Sequence, residues 1–188
     1  MTAPAIAGYR SGFWSIDQEH SSVLFTARHM AVGKVHGRFR RFVGKVFTGE
    51  TVEQCAVRAI IDATSLDTGS AKRDRSLASA EFLESETYPT MEFRSSAVHP
   101  YDTDFLVDGE LAMHGQTRPV RLKLTFNGII DDPYTGVTRA GFSAHTTIRR
   151  REFGLTFDAR LPGGGQLVSD QITITLDIEA TLDTPEPD

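Results

Sequence analysis

Apolar and polar residues alternate with period two through most of this chain. In VRAIIDAT, Val57, Ala59, Ile61 and Ala63 share one face, with Arg58 and Asp62 opposite. FLVDGELAM sets Phe105, Val107, Gly109, Leu111 and Met113 against Asp108 and Glu110. VRLKLTFN repeats the pattern with Val120, Leu122, Leu124 and Phe126, and AGFSAHTTI with Ala140, Phe142, Ala144, Thr146 and Ile148. ITITLDIEA does so with Ile172, Ile174, Leu176 and Ile178. Successive side chains of a strand point to opposite faces, so each stretch predicts a strand with one dry and one wet side, the habit of antiparallel sheet. Further strands are expected at 12–17, 21–30, 35–47 and 90–98, eight or nine in all, separated by turn signals such as HPYDTD, HGQTRP and DDPYTG.

Two features bend this picture. The 35–47 strand is long, carries Gly37 and Gly44, and slips register at Arg40–Arg41, so Phe39 and Phe42 share a face only across a bulge. TGSAKRDRSLASAEFLESETYP abandons alternation and predicts one or two short helices around 71–85, ended by Pro89. Residues 12–181 form a single domain between a flexible N-terminus (1–11) and a disordered acidic tail (182–188). One-sided antiparallel strands close into a barrel or fold into a sandwich, and long strands with mid-strand glycines favour the barrel. The dry face mixes Phe with Ala and Gly, which fits either an aromatic-lined cavity or large and small side chains interlocking in a dense core.

Composition narrows the classes. The chain has 188 residues, a net charge of −5 and one cysteine, Cys55. Nothing global favours nucleic acid or an anionic membrane surface, and no intrachain disulfide can form. No stretch nears the ~18 apolar residues of a membrane-spanning helix, and MTAPAIAGYRSGFW has no cationic n-region, so a cytoplasmic setting without stable membrane insertion is expected. Edge strands need cover, which keeps a homodimer open.

VLFTARHM places His29 on the dry face beside Val23, Phe25 and Ala27. A histidine there orients a ligand head group, holds a metal or ties two strands together. His36 falls on the opposite face, and no HxH, HxxxH or CxxC spacing occurs, so no metal is expected. His114 is explained by its turn, His145 points to the wet face and His99 precedes Pro100 in a loop. No nucleophile elbow exists to seat a serine, and no catalytic residue is assigned. Lys72, Arg73 and Arg75 either meet an anionic head group or, as the favoured reading, form a solvated helix face pairing with Asp74, Glu81 or Glu84. Among Arg149, Arg150 and Arg151, Arg149 is taken as the one at the lumen rim.

Four motifs then resemble the YceI-like family. HSSVLFTARHMAVGKVHGRFRRFVG is similar to S-x-V-x-F-x-x-x-H followed by V-x-G-x-F-x-x-F-x-G, on Ser21 or Ser22, Val23, Phe25, His29, Val35, Gly37, Phe39, Phe42 and Gly44. RDRSLASAEFLESETYPTMEF resembles R-D-x-x-L-x-S-x-x-F and its Y-P-x-x-x-F sequel. GELAMHGQTRPVRL resembles G-x-L-x-x-H-G-x-T-x-P-V, and RREFGL the R-x-x-F-G element on Arg149 or Arg150, Phe153 and Gly154. The resemblance spans residues 14 to 180. It implies an extended eight-stranded antiparallel lipocalin-like barrel with helix across one end, holding a polyisoprenoid or similar amphiphile and catalysing nothing. The expected lumen lining is Val23, Phe25, His29, Phe39, Phe42, Ile61, Phe93, Leu111, Met113, Leu124, Phe126, Phe142 and Ile174, with Arg73, Arg75 and Arg149 as head-group candidates. The expected ligand is a polyisoprenoid, isoprenoid quinone or fatty-acid-like chain, without a cofactor. The alternatives are an enzyme using His29 and an inward Arg on a small hydrophobic substrate, or a structural or dimerisation module with a filled lumen.

Overall fold

The computed structural model describes residues 8–161 and 164–184. Eleven strand segments form one sheet: β1 (Gly12–Ile16), β2 (Ser22–His29), β3 (Gly33–Phe39), β4 (Phe42–Thr48), β5 (Ala56–Asp62), β6 (Leu66–Asp67), β7 (Thr90–Tyr101), β8 (Asp104–Met113), β9 (Gln116–Asp131), β10 (Thr138–Arg149) and β11 (Val168–Leu182). One edge of β11 pairs with β2 along Val168–Asp177 and with β1 at Ala180–Leu182. The segments β1 and β2 therefore behave as one interrupted strand, and β3 and β4 do the same, β3 pairing with β2 and β4 with β1 and β5. With β5, β7, β8, β9, β10 and β11 they close an eight-stranded antiparallel barrel. Closure removes the sheet edges that would otherwise seek a partner.

The register slip at Arg40–Arg41 is where β3 gives way to β4. Two residues leave the ladder, and their backbone donors find other acceptors: Arg40 N–H reaches the Ser65 carbonyl (3.1 Å) and Arg41 N–H the Ser65 hydroxyl (3.0 Å). Phe42 N–H bonds Gln18 Oε1 (3.1 Å). With those donors satisfied, the break costs little and both Phe39 and Phe42 face inward.

The helix is shorter than expected. Helix α1 (Ala71–Ala78) ends where Ser79 turns back on Ser76, and the remainder of 79–88 is turns tied to it by Leu83 N–H to Leu77 O and Ser85 N–H to Ala78 O. His99 and Pro100 lie inside β7, paired with Leu106 and Phe105, rather than in a loop. Ala63, expected at the end of a strand, opens a short 3-10 turn capped by Asp62, whose carboxylate accepts Thr64 N–H.

The inward faces pack into one apolar shell, but one end is sealed separately. Trp14, Ala140 and Ala180 are fully buried there, and Trp14 Nε1–H donates to Thr48 Oγ1 at 2.8 Å. The chain flanking the barrel joins in: Arg10 pairs with Asp131 (3.1 Å), and Asp183 N–H bonds the Phe13 carbonyl (2.8 Å). The remaining residues of the expected flexible N-terminus and acidic tail, 1–7 and 185–188, lie outside the described residues, as does part of the glycine run at 162–163.

Candidate functional site

A cavity of about 590 Å³ runs through the barrel. All thirteen residues expected to line the lumen do line it: Val23, Phe25, His29, Phe39, Phe42, Ile61, Phe93, Leu111, Met113, Leu124, Phe126, Phe142 and Ile174. Aromatic rings cover the glycines of the dry face, Phe25 over Gly37 and Phe93 over Gly109, but the alanines are not filled in. Ala27, Ala59, Ala140 and Ala144 border open volume, which sets aside the filled-core reading.

The two ends of the cavity differ chemically. The floor is Trp14, with Thr48, Tyr9 and Cys55 nearby on the wall. The opposite end, the mouth, is bordered by Arg28 and His29 at the end of β2, by Arg73, Ser76 and Leu77 on α1, by Leu167 and Val168 at the start of β11, and by Arg150. Register places these together: His29 pairs with Val168, while Trp14 pairs with Leu182 at the far end of the same strand. The twelve steps from Val168 to Ala180, at ~3.3 Å each and tilted ~40°, make the lumen on the order of 30 Å long.

Arg150 is the unexpected member. It is only 3% exposed. Its Nε–H donates to Ser169 O (3.1 Å), one terminal N–H to Leu155 O (2.5 Å) and another to Val168 O (3.3 Å). No carboxylate lies within ion-pair distance among the described residues, and burial holds its pKa below the usual guanidinium value. A guanidinium carries five N–H donors, so three carbonyls leave two to spare. His29 is half-buried at the same level, its ring without a hydrogen bond among the described residues.

The head-group candidates fare unevenly. Arg73 borders the mouth, held by Nε–H to Thr68 Oγ1 (2.7 Å) and a terminal N–H to Thr68 O (2.8 Å). Arg75 and Arg149 are exposed and lie off the cavity wall. Inward alternation through Ile148 continues to Arg150, so Arg149 points to water. The expected helix pairing also fails. Lys72, Arg73 and Arg75 make no ion pair among the described residues, because Asp74 turns instead to Thr68, accepting its N–H (2.9 Å) and its hydroxyl (2.5 Å).

Other polar residues lie away from the lumen. His36 is exposed and bonds Thr26 Oγ1 through Nδ1 (3.0 Å), and His145 is exposed. His114 and Gly115 form the two-residue β8–β9 turn with φ of 51° and 69°, the left-handed pair this hairpin type requires. His114 Nδ1–H donates to Phe153 O (3.1 Å), its ring packs 4.7 Å from Tyr88, and Glu84 lies 3.5 Å from Nε2. His114 of the H-G motif, Tyr88 of Y-P and Phe153 of R-x-x-F-G thus meet outside the lumen, as scaffold, while Arg150 of the last motif faces the cavity mouth. Asp17, His20 and Glu179 also converge, but the Arg139 guanidinium occupies the centre of that group, donating to Asp17 (2.8 Å) and Glu179 (2.5 Å).

A closed eight-stranded barrel around a long apolar lumen, with helix across one end, defines a lipocalin-like protein. The YceI-like domain matches residues 14–180, and the chain belongs to that family. It is 39% identical over 147 residues, 76% of each chain, to a UPF0312 protein of Pseudomonas putida, and 36% identical over 149 residues, 77% of each, to Protein YceI of Escherichia coli. Among solved structures it superposes on Burkholderia cenocepacia BcnA with a TM-score of 0.75 at 23% identity, covering 88% of this chain and 99% of that one. A polyisoprenoid binding domain from Saccharophagus degradans, implicated in plant cell wall breakdown, matches with a TM-score of 0.69 at 15% identity, covering 93% of this chain and all of the other.

Proposed function

We propose that this protein holds one elongated amphiphile, a polyisoprenoid, isoprenoid quinone or fatty acyl chain, in the barrel without transforming it. The observation that carries the reading is the polarity of the cavity: a long apolar tube whose cations all gather at one end. The tail extends toward Trp14 and the head group stays at the mouth, where the spare N–H donors of Arg150 and the free ring of His29 offer hydrogen bonds. Burial of apolar surface at about 25 cal/mol per Å² drives binding, offset by the cost of ordering a flexible chain. The polyisoprenoid binding of the Saccharophagus degradans domain, which shares this fold, supports the ligand class. The enzymatic alternative would use the same polar pair, but His29 has no carboxylate partner among the described residues to orient it as a base.

Organic extraction of the purified protein followed by mass spectrometry tests the reading. One dominant long-chain amphiphile is expected. Recovery of none, together with no binding of offered prenols, prenyl phosphates or fatty acids, overturns it. Turnover of a bound compound that His29→Ala abolishes would establish the alternative.

A further inference from the structure

The β2–β3 hairpin carries apolar side chains where a soluble loop has no use for them. Its tip is Met30-Ala31-Val32, with Val32 91% and Met30 42% exposed. Met30 and Ala31 hold φ of 52° and 61°, a left-handed backbone that favours Gly or Asn, yet the tip is apolar. Arg28 and Lys34 face each other directly across the register just behind it. Like charges so placed repel unless an external anion lies between or above them. At and just beyond the end of β3, Arg38 and Arg40 share Asp67, whereas Arg28 and Lys34 have no carboxylate partner among the described residues.

The helix α1 adds to this patch. Leu66 and Asp67 pair with Phe39 and Arg38, and Thr68 packs beside Gly37, so the chain runs back along β3 toward the hairpin tip before α1 begins. The exposed Lys72, Arg73 and Arg75 therefore join Arg28 and Lys34 around one end of the barrel. Asp74 is engaged by Thr68, Glu81 lies on the cavity wall, and Asp158 and Asp170 lie near Arg150, with Asp158 paired to Arg151 and Asp170 accepting Arg151 N–H. This cationic end belongs to a chain whose net charge is −5. The cavity mouth opens at the same place.

We infer that the mouth docks on an anionic lipid bilayer, with Val32 and Met30 entering the headgroup region and Arg28, Lys34, Lys72 and Arg75 resting on lipid phosphates. The chemistry is that of a peripheral binder: few apolar contacts plus clustered cations, screened by salt and reversible. Docking in this orientation presents the lumen to the membrane, so an amphiphile passes between bilayer and barrel without its tail crossing water. The inference goes beyond the holding of a ligand and is tested apart from it.

The test is sedimentation of the full chain with vesicles of phosphatidylcholine alone or with phosphatidylglycerol added. Association is expected with the anionic vesicles, falling steeply between low and physiological salt, and weak with phosphatidylcholine. Lys34→Glu with Lys72→Glu lowers partitioning about tenfold or more. Val32→Asp weakens association even at low salt. None of these positions lines the cavity, so uptake of a soluble fluorescent fatty acid stays as in the parent protein. Equal binding to both vesicle types, no binding to either, or variants that bind like the parent would each overturn the inference, whatever the fatty-acid measurement gives for ligand holding.

Discussion

Arg150 shows how one residue serves both fold and site. Removing a guanidinium from water costs several kcal/mol unless its donors are met, and here three backbone carbonyls meet three of the five. Those carbonyls belong to Leu155, Val168 and Ser169, so Arg150 fastens the loop after β10 to the start of β11. Arg150→Met keeps much of the volume but strands the carbonyls, and a loss of about 2–4 kcal/mol is expected in urea unfolding. Arg149→Met, on the exposed neighbour, is expected within about 0.5 kcal/mol of the parent. Equal effects would show that the inward position has no special burden. The position was legible in the alternation, since Ile148 points inward and period two continues to Arg150. What a one-dimensional pattern lacked was the destination of the charge, because acceptors on two other segments are long-range. The same reason hides why Arg73 reaches the mouth while Arg75, two residues on, does not.

The strands themselves were largely written in the hydrophobic periodicity, because a lumen that excludes water enforces the dry face over every strand that surrounds it. Val107, Leu111 and Met113 on β8 and Ala140, Ala144 and Ile148 on β10 are all buried as expected. The pattern failed where tertiary contacts substitute for the ladder. Pro100 sits in β7 opposite Phe105 despite lacking a donor, and the helix stops at Ala78 although its charge-rich sequence continues. Closure was beyond local pattern too, since it depends on β11 holding both β1 and β2. At the sealed end this junction is pinned by Arg139 on β10, which pairs with Asp17 after β1, Glu179 on β11 and Asp132. The Arg139 hydrogen bond, outweighing the opposing effect of burial, brings the Asp17 carboxyl down to about 2. A folded-state value below the unfolded ~3.9 means that this stabilisation is complete above pH 4 and is lost as pH falls toward 2. The contribution is on the order of 2 kcal/mol. Asp17→Asn should therefore lower stability at pH 7 but flatten the decline between pH 4 and 2 in acid titrations of urea midpoints. An unchanged acid limb would remove Asp17 from the account.

At the scale of the molecule, the barrel has left room it could have filled. A chain that needed only stability would replace Ala144, which faces the lumen between Leu124 and Leu176, with something larger. Open volume flanked by apolar walls is costly when empty and useful when occupied, so stability and occupancy are coupled. A ligand at a hundred times its Kd adds about 2.7 kcal/mol. For a chain of this length that raises Tm by roughly 5–10 °C. Ala144→Phe separates the two effects. The added ring projects into the cavity rather than against packed neighbours, so overpacking strain of about 1–3 kcal/mol is avoided and the ligand-free protein melts at or above the parent's temperature. The tube is interrupted midway, however, between the mouth at Val168 and the floor at Trp14. Copurified amphiphile should fall to trace amounts, and added prenyl or fatty acyl chains should no longer raise Tm. A variant that melts normally and still carries its full complement of lipid would mean that the ligand lies outside the lumen.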